Sequence, residues 1–283
     1  MAVRAVQQIM LGSVSKTEKQ AAETLKKIKA AGYDGIELNG FMIRPTSFLV
    51  RALTKAAGMP TGKGGNYDWE SLVKNAGLSV VSVHEDLGSV ERDPEAVIKE
   101  AKKFGTDKVV ITGMYRFDYR RKENVEQLAK RLNAAGKRLA QDGITLCYHN
   151  HNVEFQKVAP ELTAMELLLQ NTDPEYLSFE LDSYWPAEAG VDVQSLMKRM
   201  GSRMKLYHIN DRGTKLKKAP ITPILKSDSC ELGDGNMPLV ELTKQALSVD
   251  VAAVILESHK NWLENSPIRS LERSAIFMKE YVK

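Results

Sequence analysis

Short apolar runs alternate with amphipathic stretches from one end of the chain to the other. The runs fall at residues 3–10, 35–39, 78–84, 108–113, 144–149, 177–182, 204–210 and 251–257. Most are aliphatic or β-branched almost throughout, the pattern of a strand covered on both faces rather than the polar alternation of a half-exposed one. They predict eight strands of a parallel sheet. Between them the period changes to that of a helix, as in Ala21, Leu25 and Ile28, where Ser15 and Glu18 have capping-box spacing and Gly32 closes the segment. Gly77, Gly105, Gly143 and Gly201 likewise stand just before the next run, where a left-handed residue turns the chain back into the sheet.

Eight strand-then-helix units within about 250 residues have the size of a (β/α)₈ barrel, and doubly wound open sheets usually have fewer strands. The fold class expected is α/β, one TIM barrel domain spanning 1–283. A dinucleotide fold would need a glycine fingerprint after an early strand, and Gly62, Gly64 and Gly65 follow none. The stretch 41–68 is longer than a normal connection. With an apolar patch (Phe48, Leu49, Leu53) followed by those glycines, it reads as a lid over the barrel mouth or as a decorative insertion.

Composition narrows the function classes. The chain has 283 residues, 43% hydrophobic and 27% charged, so it carries enough apolar material for a large core. Its net charge is only +4, and the basic positions Arg120, Arg121, Lys122 and Lys215, Lys217, Lys218 lie far apart, which argues against a nucleic-acid partner. Cys147 and Cys230 read as free thiols in a reducing compartment. No run approaches the roughly 18 apolar residues of a membrane span, and glutamines interrupt the first run where a signal peptide would be continuous. A cytoplasmic protein without membrane contact is expected.

The five histidines, His84, His149, His151, His208 and His259, all fall at or just past the end of a predicted strand. Glu37, Asp182 and Glu257 end the second, sixth and eighth strands. Barrel enzymes collect their chemistry there, because the following loops converge on one mouth. Residues two apart share a face, which places Asp182 with Glu180 and Ser178, His208 with Leu206 and Asn210, and Glu257 with Ile255 and Ala253. Two carboxylates and an imidazole brought together call for a balancing divalent cation, and these groups are suitable ligands for one. Each residue taken singly is as well explained as a capping or hydrogen-bonded strand end, and the joint pattern favours the metal. The segment 148–155 adds His149, His151 and Glu154, a further ligand and an acid or base.

The motifs AAGYDGIEL (30–38), SVHEDL (82–87), YHNHNVEF (148–155), ELDSYWPAEAGVD (180–192), YHIND (207–211), LGDG (232–235) and ILES (255–258) cover almost the whole chain. Through them it resembles a sugar phosphate isomerase/epimerase of the xylose isomerase-like barrel superfamily. The resemblance implies a divalent ion, manganese first and cobalt, zinc or magnesium as alternatives, held by Asp182, His208 and Glu257. Glu154 is the expected fourth ligand because an anionic oxygen preserves the family's charge balance, with His149 the alternative. It further implies Glu257 and Glu154 as bases, His149 and His151 as proton carriers, Trp185 as a wall against a sugar face, and His84, Glu37 and Asn210 as substrate contacts. The activity implied is isomerisation or epimerisation of a small carbohydrate through an enediolate. The alternative is a lyase or dehydratase acting on a keto-glycoside or keto-inositol. An endonuclease IV type of phosphodiesterase fits less well, since Trp185 stands three past Asp182 where those enzymes carry histidine. A non-catalytic sugar-binding subunit is a further class. Relatives also act as homo- or hetero-oligomers.

Overall fold

The computed structural model describes residues 1–45, 64–214 and 223–283. Most of the expected lid (46–63) and the lysines at 215–218 lie outside the described residues. Eight parallel strands close into a barrel: β1 (Val3–Gln7), β2 (Gly35–Asn39), β3 (Ser79–Glu85), β4 (Lys108–Thr112), β5 (Thr145–His149), β6 (Ser178–Asp182), β7 (Met204–Ile209) and β8 (Ala253–Leu256). Closure is by β1, which pairs with β8 in the register Val3↔Ala253 and with β2 in the register Ala5↔Gly35. One principal helix follows each strand: α1 (Glu18–Ala31), α2 (Trp69–Asn75), α3 (Pro94–Lys103), α4 (Lys122–Ala140), α5 (Ala164–Asn171), α6 (Val193–Met200), α7 (Leu239–Ser248) and α8 (Pro267–Tyr281).

The helices form where the periodicity places them. In α4 the buried positions Val125, Leu128, Ala129, Leu132, Ala135 and Leu139 recur at three- and four-residue spacing and make one core-facing stripe. Asp68, Asp93, Thr163, Asp192 and Ser266 cap their helices by accepting from a backbone N–H of the first turn. The N-cap of α1 is Thr17, whose Oγ1 accepts from the Gln20 amide at 3.2 Å, and not Ser15 as the capping-box spacing suggested. Gly77, Gly105 and Gly143 take φ of +70°, +70° and +75° before β3, β4 and β5, so the repeated glycine marks the turn back into the sheet. The first strand is shorter than its apolar run. Gln7 turns its side-chain oxygen onto the Ile9 amide at 2.7 Å and starts a 3₁₀ helix, Gln8–Leu11.

Two cores result. The larger lies between the barrel and the helices. The smaller fills the barrel itself with Ala5, Val81, Val110, Cys147, Leu206, Ala253 and Ile255. A shift of register in the β2–β3 pairing, where Ile36↔Val80 is followed by Glu37↔Ser82, lets β3 turn both Val81 and Ser82 inward. Cys147 and Cys230 are buried. Among the described residues no helix is long and apolar enough to cross a membrane.

Candidate functional site

The apolar plug sets the phase of what lies above it. His149 is two residues past Cys147, His208 two past Leu206 and Glu257 two past Ile255, so each points into the barrel one layer nearer its carboxyl-terminal rim. His84 from β3 and Asp182 from β6 join them, Glu37 from β2 and Glu180 from β6 pack against the same imidazoles, and all seven are buried. Asn150 braces the end of β6, its side chain donating to the Asp182 carbonyl and accepting from the Asp182 amide, both at 3.1 Å.

His149, Asp182, His208 and Glu257 each offer one ligand atom within 4.8 Å of the others. Within that group Glu257 Oε2 is 2.9 Å from His208 Nδ1 and 4.0 Å from His149 Nε2. A second, overlapping group combines His84, His149, Glu180 and His208. There His84 Nε2 lies 3.0 Å from both Glu37 and Glu180, and its Nδ1 is 2.9 Å from Thr112 Oγ1. Ser82 donates its hydroxyl to Glu37.

Four buried carboxylates share this space, and their ion-pair partners among the described residues are histidines alone. Burial works against every charge here, and the balance is decided by neighbours. It would raise Glu257 and Glu180, but His208 and, respectively, His259 and His84 hold both well below the usual carboxylate range. Asp182 is pushed well above that range by burial and by Glu257. Burial would lower His84, but Glu37 and Glu180 raise it to about 10, and His208 is raised by the same carboxylates. His149 is lowered by burial. The residues fit a divalent cation on two counts. The donor set mixes imidazole nitrogen with carboxylate oxygen, and the buried atom Glu180 Oε1 has no hydrogen-bond partner.

Glu154 stands outside both groups. It lies in a 3₁₀ turn, Val153–Phe155, where Tyr148 donates its hydroxyl to Oε1 at 2.8 Å and the His151 amide donates to Oε2 at 2.9 Å. Tyr119 is 2.8 Å from the Tyr148 hydroxyl. A Cβ on Gly113 would sit 2.6 Å from Glu154 Oε1, so the glycine leaves room for this carboxylate. Burial raises Glu154. His151 is half-buried, its ring 5.0 Å from His149 and 5.5 Å from Trp185. Burial and the His149 charge push it down to about 3, so it is neutral at ordinary pH. Trp185 lies in the short helix Tyr184–Glu188, half-buried, with its indole N–H unpartnered. Asn210 is tied to a hairpin at the mouth, accepting from Ser229 at 3.2 Å. Sequence pattern gave no role to Glu180 beyond a shared face with Asp182, nor to Asn150, Tyr119 or Tyr148.

The chain matches the family described as Xylose isomerase-like TIM barrel over residues 25–281. An inosose dehydratase of Mesomycoplasma hyopneumoniae (strain J) is 26% identical over 239 residues, 80% of this chain and 69% of that protein. A sugar phosphate isomerase/epimerase from Parabacteroides distasonis superposes with a TM-score of 0.75 at 23% identity, over 99% of this chain and 95% of the other. The IOLI protein, solved with a binding zinc atom, superposes with a TM-score of 0.68 at 14% identity, over 99% and 98%. With a closed eight-stranded barrel and a family match over nearly its whole length, the chain belongs to the xylose isomerase-like TIM barrel family.

Proposed function

We propose that this protein is a divalent-metal-dependent sugar isomerase or epimerase, which removes the proton beside the carbonyl of a keto-sugar and returns it to the same carbon or its neighbour. The observation that carries this is the convergence of His149, Asp182, His208 and Glu257 at the barrel rim. A divalent cation there, manganese or one of cobalt, zinc and magnesium, would polarise the substrate carbonyl and acidify the adjacent C–H. His149 takes the fourth place in preference to Glu154, because its Nε2 faces the group while both Glu154 oxygens are engaged elsewhere.

The chain's own residues divide the remaining work. Glu257 is held as a carboxylate and stays available as a ligand near neutral pH. Glu257 is also placed to take the substrate proton as a base, and His151, beside the mouth and 5.0 Å from the His149 ring, is placed to carry a proton to or from it. Trp185 lines the same side with a flat apolar face on which a sugar ring packs.

A second reading is favoured by the relative named inosose dehydratase, aligned over 80% of this chain. When a hydroxyl stands β to the carbonyl, the electron pair left by the departing proton expels it, the proton is passed to the leaving oxygen so that water departs, and the same site is a dehydratase. One experiment separates the outcomes. Manganese-loaded protein is incubated with keto-sugars, keto-inositols and keto-glycosides in deuterated water, and the products are followed by NMR and mass spectrometry. Deuterium gained without loss of water marks the isomerase or epimerase, and loss of water marks the dehydratase. Turnover that survives removal of all divalent metal would overturn both.

A further inference from the structure

Beneath the four proposed ligands lie two carboxylates that the chemistry above does not use. Glu37, in β2, and Glu180, in β6, are fully buried. Glu37 touches His208 and Glu180 touches both His149 and, at 3.2 Å, His208, in each case on the ring nitrogen turned away from Glu257. Glu180 Oε2 is 3.0 Å from His149 Nδ1, which leaves His149 Nε2 on the side of Glu257. Glu37 Oε2 is 2.5 Å from His208 Nε2, which leaves His208 Nδ1 2.9 Å from Glu257 Oε2. The two imidazoles therefore enter the ligand group by opposite nitrogens, and each has a carboxylate behind it.

From this geometry we infer that Glu37 and Glu180 are positioning residues that fix the ligating nitrogen of His208 and His149. A neutral imidazole carries one N–H and one lone pair, and its tautomer follows the partner of the N–H. A carboxylate that accepts the N–H sets the ring angle and makes the opposite nitrogen a better donor to a metal. Ser82 fixes Glu37 in turn by donating to its other oxygen. The inference rests on the metal-site reading proposed above. It also reassigns Glu37, expected as a substrate contact, because a carboxylate sealed beneath the ligand layer has no path to a sugar at the mouth.

The deep group has one competing use, a second cation on His84, Glu180 and His208 that would take the same nitrogen lone pairs. His208 Nε2, which that cation would need, stands 2.5 Å from Glu37 Oε2, closer than two neighbouring ligands of one ion, and this favours the positioning role.

Cobalt(II) titration tests it. Metal-stripped wild type, Glu37→Gln, Glu180→Gln and Ser82→Ala are titrated with cobalt against a chromophoric chelator, and the visible absorption of the bound ion is recorded. Wild type is expected to take one cobalt per chain. Each glutamine variant should keep that stoichiometry with affinity lower by about 10- to 100-fold and with shifted absorption bands. Ser82→Ala, which leaves every charge in place, should move the same way by a smaller factor and guards against a glutamine variant that fails to fold. Unchanged affinity and bands in the variants would overturn the positioning role while leaving the metal centre standing. Two cobalt ions per chain, one of them lost in Glu180→Gln, would overturn it in favour of a second cation site. Wild type that binds no cobalt refutes the metal centre itself, and this inference with it.

Discussion

A carboxylate sealed from water needs donors, a proton or a cation. Glu154 has donors, the Tyr148 hydroxyl and the His151 amide, so its lone pairs hold the loop that carries His151. His149 has a nitrogen turned toward Glu257. Glu154→Gln should therefore retain a full complement of metal while kcat falls about tenfold as the loop loosens. His149→Ala should weaken metal binding by more than about 100-fold, beyond the loss typical of an outer partner. Metal analysis of the two purified variants checks this, and the reverse ranking would restore Glu154 as the ligand. The strand-end histidines were legible because the chain has so few and all stand at strand ends. Glu180 was not. Face parity puts it in phase with Asp182, but two residues back along a strand is about 6–7 Å deeper, and depth separates a residue that touches a ligand from one that backs it. Glu154 is a related case: charge balance suggested a ligand, while the 3₁₀ turn that directs its side chain to Tyr148 has no signature in the pattern.

At the scale of elements, strands buried on both faces announce themselves as continuous apolar runs, and all eight were legible for that reason. The register shift between β2 and β3 left no such trace, because Val80, Val81 and Val83 suit a strand in either phase. Yet that shift turns Ser82 and His84 inward beside Glu37, so part of the site depends on a backbone detail hidden from composition. Capping shows the same limit. Ser15 and Thr17 are both acceptable caps by type, and only the backbone decides, extended at Thr17 with φ −130°. Thr17→Ala should cost about 1 kcal/mol of stability, the usual price of a lost N-cap. Ser15→Ala should cost little or nothing, because the buried Ser15 hydroxyl has no hydrogen-bond partner to lose. Urea unfolding of the pair measures the difference, and a loss in Ser15→Ala with none in Thr17→Ala would return the cap to Ser15.

For the molecule as a whole, the fold gathers into the barrel mouth several charges that repel one another. Glu37, Glu180, Asp182 and Glu257 are buried together, and histidines are the only counter-charges beside them among the described residues. The raised carboxyl of Asp182 and the raised imidazoles of His84 and His208 show that this arrangement binds protons tightly when nothing else balances it. A divalent ion would supply the same balance with two charges at one point, and it would bind the folded chain only, since the proposed ligands come from four separate strands. Binding energy is then folding energy. With the ion at 100 times its dissociation constant the gain is about 2.7 kcal/mol. For a chain of this size that corresponds to a melting temperature higher by roughly 4–5 °C. Thermal unfolding with and without a chelator at fixed pH reads this directly. The shift should shrink in His149→Ala and Asp182→Asn and persist in Glu154→Gln, and a chelator that leaves wild type unmoved would mean that the mouth keeps its charges balanced by protons alone.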